Sequence, residues 1–413
     1  MGYITVPEKK IPVSKNTDIL VCGGGVAGFS AAIAAARMGA QVLLVERYGF
    51  LGGLATAALV ITVPPMNNGF SREIRDRLTQ LGAYGPMKYP AADVVALGIR
   101  MDAYDPEVFK HEMVAMLQEE KVGLLLHTYI VDAIVDDNIL KGIIIENKGG
   151  RQAVLAKMTV DATGDADVIH FSKAPYTNDA DGATPMTMMF NMTGVDSEKA
   201  IAQVGNWSHV HDLLRKSIEN GEVKFDLGIT MKGGGPGVSI ENLVYPDEVN
   251  IWSGNLFGRS GIDPVDLTEA EIITREHAHV LAEWLRKHIR GFENARIELL
   301  STQVGVRKTR QIKPGSLDSD GIVSKPYSNS TVALPYSSLV PQMVDNLLVA
   351  GRCVHAKEDR FGGVFRLIPP CLNTGQSAGL AAAMALDSGV TPAKVDVKRL
   401  QQNLIRAGQD LNT

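Results

Sequence analysis

The hydrophobic pattern divides the chain into a beginning, a middle and a return. Near the start, Ile19-Leu20-Val21-Cys22 and Val42-Leu43-Leu44-Val45 are short, wholly apolar runs of the kind that form fully buried strands. Between them Ala27 to Met38 is small and apolar with alanine at most positions, which predicts a helix packed closely on a sheet and stopped by Gly39. Residues 54–68 read as a loop with a short helix, 71–81 as a helix and 82–89 as a loop. Asp105-Pro106-Glu107 then supplies an N-cap, a proline at the first helical position and a first-turn acid for a helix reaching about Glu120. Gly123 to His127 is the next buried strand. Three short strands follow at 129–135, 140–146 and 152–160, joined by the turns Asp136-Asp137-Asn138 and Lys148-Gly149-Gly150. Past Lys173 the pattern changes to a methionine-rich strand at 185–193, one or two helices over 197–220 and a strand at 249–257. The longest amphipathic helix covers 267–289, and a strand spans 295–312. The opening pattern then returns as a buried strand, 345–350, and an alanine-rich helix, 377–386, opened by residues 371–376.

The first apolar run ends in Gly23-Gly24-Gly25-Val26-Ala27-Gly28, which is G-x-G-x-x-G in register. Gly23 permits the tight turn, Gly25 lets backbone N–H groups approach a pyrophosphate, and Gly28 removes a Cβ that would hold helix and strand apart. The helix N-terminus places roughly half a positive charge where phosphates sit. Glu46, about 20 residues past the loop, suits the adenosine ribose hydroxyls. This unit alone leaves NAD and FAD open. The second glycine turn after the acid, Gly52-Gly53, favours FAD. Another glycine turn closes the run Val160-Asp161-Ala162-Thr163-Gly164-Asp165. Gly233-Gly234-Gly235-Pro236-Gly237 follows no strand and opens no helix, so one dinucleotide site is expected and no second Rossmann unit for NADPH.

Composition narrows the setting. With 413 residues the chain can hold two sizeable cores, and a net charge of −5 gives no basic excess for nucleic acid. The one basic run, Arg286-Lys287-His288-Ile289-Arg290, falls at a predicted helix end, where cations favour the dipole. Cys22, Cys353 and Cys371 have no C-x-x-C spacing and suit a reducing compartment. No secretory h-region, no apolar run near ~20 residues and no myristoylation motif is present, so a cytoplasmic protein without a membrane partner is expected. His209/His211 and His277/His279 sit two apart, which on a helix points them different ways, and no metal site is expected. No G-x-S-x-G elbow supports a serine hydrolase.

Four stretches together carry a family resemblance. They are Asp18 to Gly28 with Glu46 and Gly52-Gly53; Val160 to Asp165; Gln303-Val304-Gly305-Val306-Arg307-Lys308-Thr309-Arg310; and Leu348 to Cys353 through Arg366 to Cys371-Leu372-Asn373-Thr374-Gly375-Gln376-Ser377-Ala378-Gly379. The chain resembles the FAD-dependent oxidoreductase family of glutathione-reductase-like flavoproteins, in the single-nucleotide branch related to fumarate reductase and thiazole synthase. Thr184 to Phe190 also resembles that family's substrate-domain strand. The family tends to continue after the paired arginines with a Gly-x-Tyr strand, whereas Lys313-Pro314-Gly315-Ser316 follows here, so no relative's substrate is carried over. The resemblance implies an α/β fold: a Rossmann-like FAD-binding domain, residues 1–174 and 333–413, with an inserted α+β substrate domain, residues 175–332. It implies FAD bound in extended form. Gly23, Gly25, Val26, Ala27 and Gly28 would hold the pyrophosphate, with Gly52 and Gly53 nearby. Glu46 with Arg47 would take the ribose, and Val131 the adenine through its backbone. Ala162, Gly164 and Asp165 would close the phosphate region, and Gly351, Arg352, Thr374, Gly375 and Gln376 would reach ribitol and flavin.

The chemistry that follows is hydride exchange between flavin N5 and a small polar, in one version anionic, organic substrate. A helix beginning near Asn373 would aim free N–H groups at the flavin's N1 side. The loop from Arg352 to Cys371 offers His355 for proton work and Arg360 and Arg366 as cations. Arg307 and Arg310 lie three apart on a run read as extended, so alternation puts them on opposite faces; Gly305, which lets a ligand approach the strand, favours Arg307 inward and leaves Arg310 to the domain boundary or an acid. His355, Arg307 and Arg366 are therefore the catalytic candidates. The alternatives are a structural FAD and a non-redox enzyme of the thiazole-synthase kind. An NAD dehydrogenase would leave the late glycine and Thr-Gly-Gln elements idle. The expected partners are a small-molecule substrate and a separate electron donor or acceptor, with no nucleic acid and with a homo-oligomer left open.

Overall fold

A computed structural model describes residues 2–89, 100–224, 238–317, 320–328, 330–356 and 364–411. The glycine-rich run at 233–237 and Arg360 lie outside the described residues.

Strand β1, Val13–Cys22, has its last four residues fully inaccessible. It leads into helix α1, Val26–Arg37, and then strand β2, Val42–Val45. Helix α2, Pro106–Glu119, starts as its sequence dictates: Asp105 accepts from the Glu107 and Val108 amides and Pro106 occupies the first helical position. Strands β3 (Gly123–Leu125), β4 (Tyr129–Asp136), β5 (Ile139–Asn147) and β6 (Gly150–Asp161) complete the first half. Strand order in the main sheet is β3-β2-β1-β6-β5-β4. β1 runs parallel to both β2 and β6, with Cys22 opposite Val45 on one side and Asp161 on the other. β4, β5 and β6 pair antiparallel. The chain is thus an α/β protein with a Rossmann-like sheet.

The middle of the chain builds a second, antiparallel sheet. β7 (Met189–Thr193), β8 (Val238–Asn242), β9 (Glu248–Ser253) and β10 (Arg296–Leu300) stand in the order β8-β9-β7-β10. Helix α3, Pro264–His288, begins three residues before the predicted start because Asp263 caps it and Pro264 opens it. A hydrophobic cluster from Met186 to Val306 fills this region, while Ile312 and Val323 already belong to the cluster of the main sheet.

The chain returns through β11, Leu347–Val349, which pairs parallel with the end of β6. Helix α4, Ile368–Ser388, follows. Its start corrects the sequence reading, since Pro369 and Pro370 sit in the first turn, where no N–H is needed, and Asn373 to Gln376 lie inside the helix. α4 crosses α1 at backbone distance: a Cβ on Gly375 would meet the Ala27 carbonyl at 2.1 Å, and one on Gly379 the Ala31 carbonyl at 2.1 Å. Residues four apart share a helix face, so these glycines form the contact stripe.

The strand expected over 295–312 is three pieces: β10, Gly305–Val306 and Gln311–Ile312. Each finds a different partner, on β7, on Met186–Thr187 and on Tyr176–Thr177, so no single alternation runs through Arg307 and Arg310. Among the described residues no helix is long and apolar enough to cross a membrane.

Candidate functional site

A cleft opens where β1, β6 and β11 end, at the carboxyl ends of the parallel strands, the usual ligand position in such sheets. Its floor is the first glycine turn. Gly23 has φ +101 and lies so close to β6 that a Cβ would fall 2.5 Å from the Ala162 carbonyl. A Cβ on Gly28 would lie 1.8 Å from the Gly23 carbonyl, so this glycine locks the turn against the helix and does not line the cleft. Gly25 differs. It caps α1 with φ −64 and ψ 173 and no side-chain bond, and its Cβ would meet nothing nearer than Gly53 Cα at 3.9 Å. The second turn is tied to the first: the Gly52 amide donates to the Gly24 carbonyl at 2.8 Å, and Gly25 and Gly52 form a parallel bridge.

Glu46 ends β2 beneath this floor and is 7% exposed. Its Oε2 accepts from the Gly24 amide at 2.6 Å and its Oε1 from the Tyr48 amide at 2.8 Å. Burial raises its pKa, opposed by these two amides. A side cavity beside it is walled by Arg47, Thr128, Tyr129, Ile130, Thr163 and Asp167. Val131, the expected adenine contact, does not line it; the preceding residues do.

The turn after β6 is fastened by charge. Asp161 is fully buried; it accepts from the Thr163 amide and hydroxyl and from the Ile169 amide, and burial pushes its pKa up to about 6. Arg352 Nη2 reaches Asp165 at 2.6 Å, Thr309 donates to the same carboxylate at 2.9 Å, and Arg310 bonds Asp167 at 2.9 Å. Burial and the neighbouring Asp165 charge raise the Asp167 pKa, and Arg310 opposes them. The paired acids of this turn are thereby balanced by arginines from two distant stretches.

At the far end the cleft meets Ala350, Gly351, Arg352, Arg366, Ile368 and Cys371. Arg307 is not among the residues that line the cleft, but it feels the charge of Arg366, which is. Arg307 Nη1 donates to the Pro185 carbonyl and the Thr187 hydroxyl, each at 2.8 Å. Burial and then the Arg366 charge push its pKa down to about 9. Cys371 is a buried thiol pushed up to about 12 by burial, so it is not a thiolate nucleophile at neutral pH.

Most of the expected cofactor residues converge on the cleft: Gly23, Gly25, Val26, Ala27, Glu46, Arg47, Gly52, Gly53, Ala162, Gly164, Gly351 and Arg352 all line it. Asp165 lines an adjoining cavity. Thr374, Gly375 and Gln376 do not line it. Thr374 accepts from the Gly351 amide, Gly375 packs on α1, and Gln376 bonds Phe70, Ala407 and Gln409. His355 is exposed, donates its amide to the Ser338 carbonyl and does not line the cleft. Among the lining residues that the sequence reading did not assign, Tyr48 and Gln303 pair with each other. Tyr48 donates its hydroxyl to Gln303 Oε1, joining the first-domain wall to the middle of the chain. Tyr48 stands two residues after the ribose acid and Gln303 opens the arginine motif, which was the available signal.

A family model described as FAD dependent oxidoreductase matches residues 18–316 and 319–404. Among curated proteins the chain is similar to the tRNA uridine 5-carboxymethylaminomethyl modification enzyme MnmG of Lactiplantibacillus plantarum, 32% identical over 170 residues, covering 38% of this chain and 25% of that protein. The MnmG of Streptococcus gordonii is 29% identical over 163 residues, covering 37% and 24%. The matches thus span about a quarter of the length of these relatives. Among solved structures, a geranylgeranyl bacteriochlorophyll reductase-like protein of Thermoplasma acidophilum has a TM-score of 0.54 at 13% identity, covering 95% of this chain and 83% of that one. The p-nitrophenol 4-monooxygenase PnpA of Pseudomonas putida has a TM-score of 0.51 at 12% identity, covering 94% and 84%. These two likenesses concern the fold.

Proposed function

The chain belongs to the FAD dependent oxidoreductase family and is an FAD-dependent enzyme, and from that premise we propose that it exchanges a hydride between FAD and a small anionic organic substrate held by Arg307 and Arg366. The cleft suits the cofactor. Gly25 leaves open the space a Cβ would fill, the uncapped α1 N-terminus faces it, and Glu46 keeps acceptor capacity beyond its two amide bonds. In this reading Gly23, Gly25, Val26, Ala27, Gly52 and Gly53 hold the pyrophosphate and Glu46 the ribose. Thr128 to Ile130 wall the adenine in place of Val131. Gly351 and Arg352 bound the ribitol end, with Arg352 acting through its pair with Asp165.

FAD, when bound, supplies the group that takes up or returns two electrons and one proton as hydride. The protein's part is to bind and orient the substrate. The observation that carries the anionic reading is Arg307: its bonded partners are both neutral, no carboxylate pairs with it among the described residues, and a second guanidinium lies close enough to lower its pKa. Two adjacent cations repel one another and gain most when an anion sits between them. Arginine's planar fork suits a carboxylate in bidentate geometry. Of the three catalytic candidates this keeps Arg366, which lines the cleft, and Arg307, whose charge Arg366 feels, and sets aside His355, which is exposed and outside the cleft.

The tRNA named for the MnmG relatives is not carried over, because the match covers a quarter of that protein and the net charge here is −5. The test is Arg307→Lys in the FAD-loaded enzyme. Turnover of, or affinity for, small carboxylates should fall 10-fold or more, about 1.4 kcal/mol, with FAD content unchanged. Unchanged carboxylate affinity would refute the assignment.

A further inference from the structure

Among the described residues no acid pairs with Arg307, yet it is not loose. Two neutral acceptors fix its Nη1 end, which leaves the rest of the fork's donors for another ligand. The guanidinium carbon also lies 5.7 Å from the centroid of the Trp252 ring, inside the ~6 Å reach of a cation–π contact. Trp252 sits on β9 opposite Met189 of β7. Its ring is held in turn: the indole Nε1–H donates to Glu241 Oε2 at 3.2 Å. Glu241 lies on β8, the neighbouring strand, and is 5% exposed. The same Oε2 accepts the hydroxyl of Thr62, from a two-residue strand that pairs within the first part of the chain. A continuous set of contacts therefore runs from Thr62 through Glu241 and Trp252 to Arg307.

We infer that Trp252, oriented by Glu241, is a positioning residue that fixes the Arg307 fork for the substrate anion. This rests on the reading of Arg307 as the anion-binding group. The physical logic lies in what each neighbour would do to the cation. A carboxylate touching Arg307 would hold it in place but would also occupy its donors and cancel its charge. An aromatic face holds the plane of the guanidinium and leaves the in-plane N–H groups free for a carboxylate. The acid is placed one residue back, where it aligns the indole and, by accepting its proton donor, makes the ring face more electron-rich.

The test is a double-mutant cycle on the FAD-loaded enzyme, with benzoate and acetate as probes and the shift of the visible flavin band as readout. Trp252→Leu is expected to weaken probe binding by about 5- to 10-fold and Trp252→Phe by less, because phenylalanine keeps a face but loses the indole N–H. Glu241→Gln, which keeps an acceptor, should stay within about 3-fold of the parent. In an Arg307→Lys background, Trp252→Leu should cost little more, because groups acting through one another do not add. FAD content and melting temperature of Trp252→Phe should match the parent. Full additivity of the two changes, or no loss from Trp252→Leu, would overturn the positioning role. If Arg307→Lys itself leaves probe binding unchanged, or neither probe shifts the parent's spectrum, it is the anion-site reading that fails.

Discussion

Gly25→Ala and Gly28→Ala make the same chemical change three residues apart and should have opposite consequences. At Gly25 the backbone is already in a region open to alanine, φ −64 and ψ 173, and the new methyl would meet only Gly53 Cα at 3.9 Å. The apoprotein should therefore fold normally and gain up to about 0.4–1 kcal/mol from a less flexible unfolded chain. That methyl, however, points into the space where backbone N–H groups must reach the pyrophosphate. Losing one charge-assisted hydrogen bond costs about 1.5–3 kcal/mol, so FAD affinity should fall by about 10- to 150-fold. At Gly28 the methyl would lie 1.8 Å from the Gly23 carbonyl, so turn and helix must separate. Overpacking of this kind costs about 1–3 kcal/mol or more and should lower the melting temperature with or without cofactor. The assays are a thermal melt of each apoprotein and an FAD titration followed by flavin fluorescence. Parental FAD affinity in Gly25→Ala, or an apoprotein as destabilised as Gly28→Ala, would refute the separation of cofactor contact from packing.

Gly375→Ala should behave like Gly28→Ala, since its methyl would strike the Ala27 carbonyl at 2.1 Å, and melting will show a loss of stability that added FAD does not restore. Arg310→Lys should cost the substrate step less than Arg307→Lys, because Arg310 is bound to Asp167 and the Asp165 carbonyl; steady-state kinetics on the two variants checks this. Glu248 is pushed up to about 7 by burial and then by the charges of Glu298, Asp247 and Asp105. A carboxyl with a raised folded pKa gives stability that is present at low pH and lost as pH rises through about 7. Glu248→Gln should therefore raise the melting temperature at pH 8 and change it little at pH 5; equal effects at both would contradict the assignment.

What could be read from the sequence was local, and what could not depended on partners far along the chain. The strand–glycine–helix–strand–acid order fixes its own geometry, because each residue's role is met within about thirty positions. Hence β1, α1, β2 and the two glycine turns were legible from residues 18–53. Arg310 does pair with an acid, yet not for the alternation argued from its spacing. The supposed strand is broken into pieces whose partners, Met186–Thr187 and Tyr176–Thr177, lie more than a hundred residues earlier. Thr374, Gly375 and Gln376 were expected near ribitol and flavin from the family resemblance, with a helix beginning near Asn373. Pro369-Pro370 moves that start upstream, so that Thr374 accepts from the Gly351 amide, Gly375 packs on α1, and Gln376 bonds Phe70 and Ala407. The Tyr48–Gln303 and Trp252–Arg307 contacts join residues 255 and 55 positions apart, a distance over which neither periodicity nor motif spacing carries information.

Whether charge grips the substrate of this FAD enzyme is decided by anaerobic titration of the FAD-loaded protein with small organic acids and their neutral amides. At least one acid should bleach the visible flavin band in a saturable way, its amide should not at the same concentration, and Arg307→Lys with a full complement of FAD should lose the response. Bleaching by acid and amide alike, or a flavin that stays oxidised while acid is consumed, would contradict this reading.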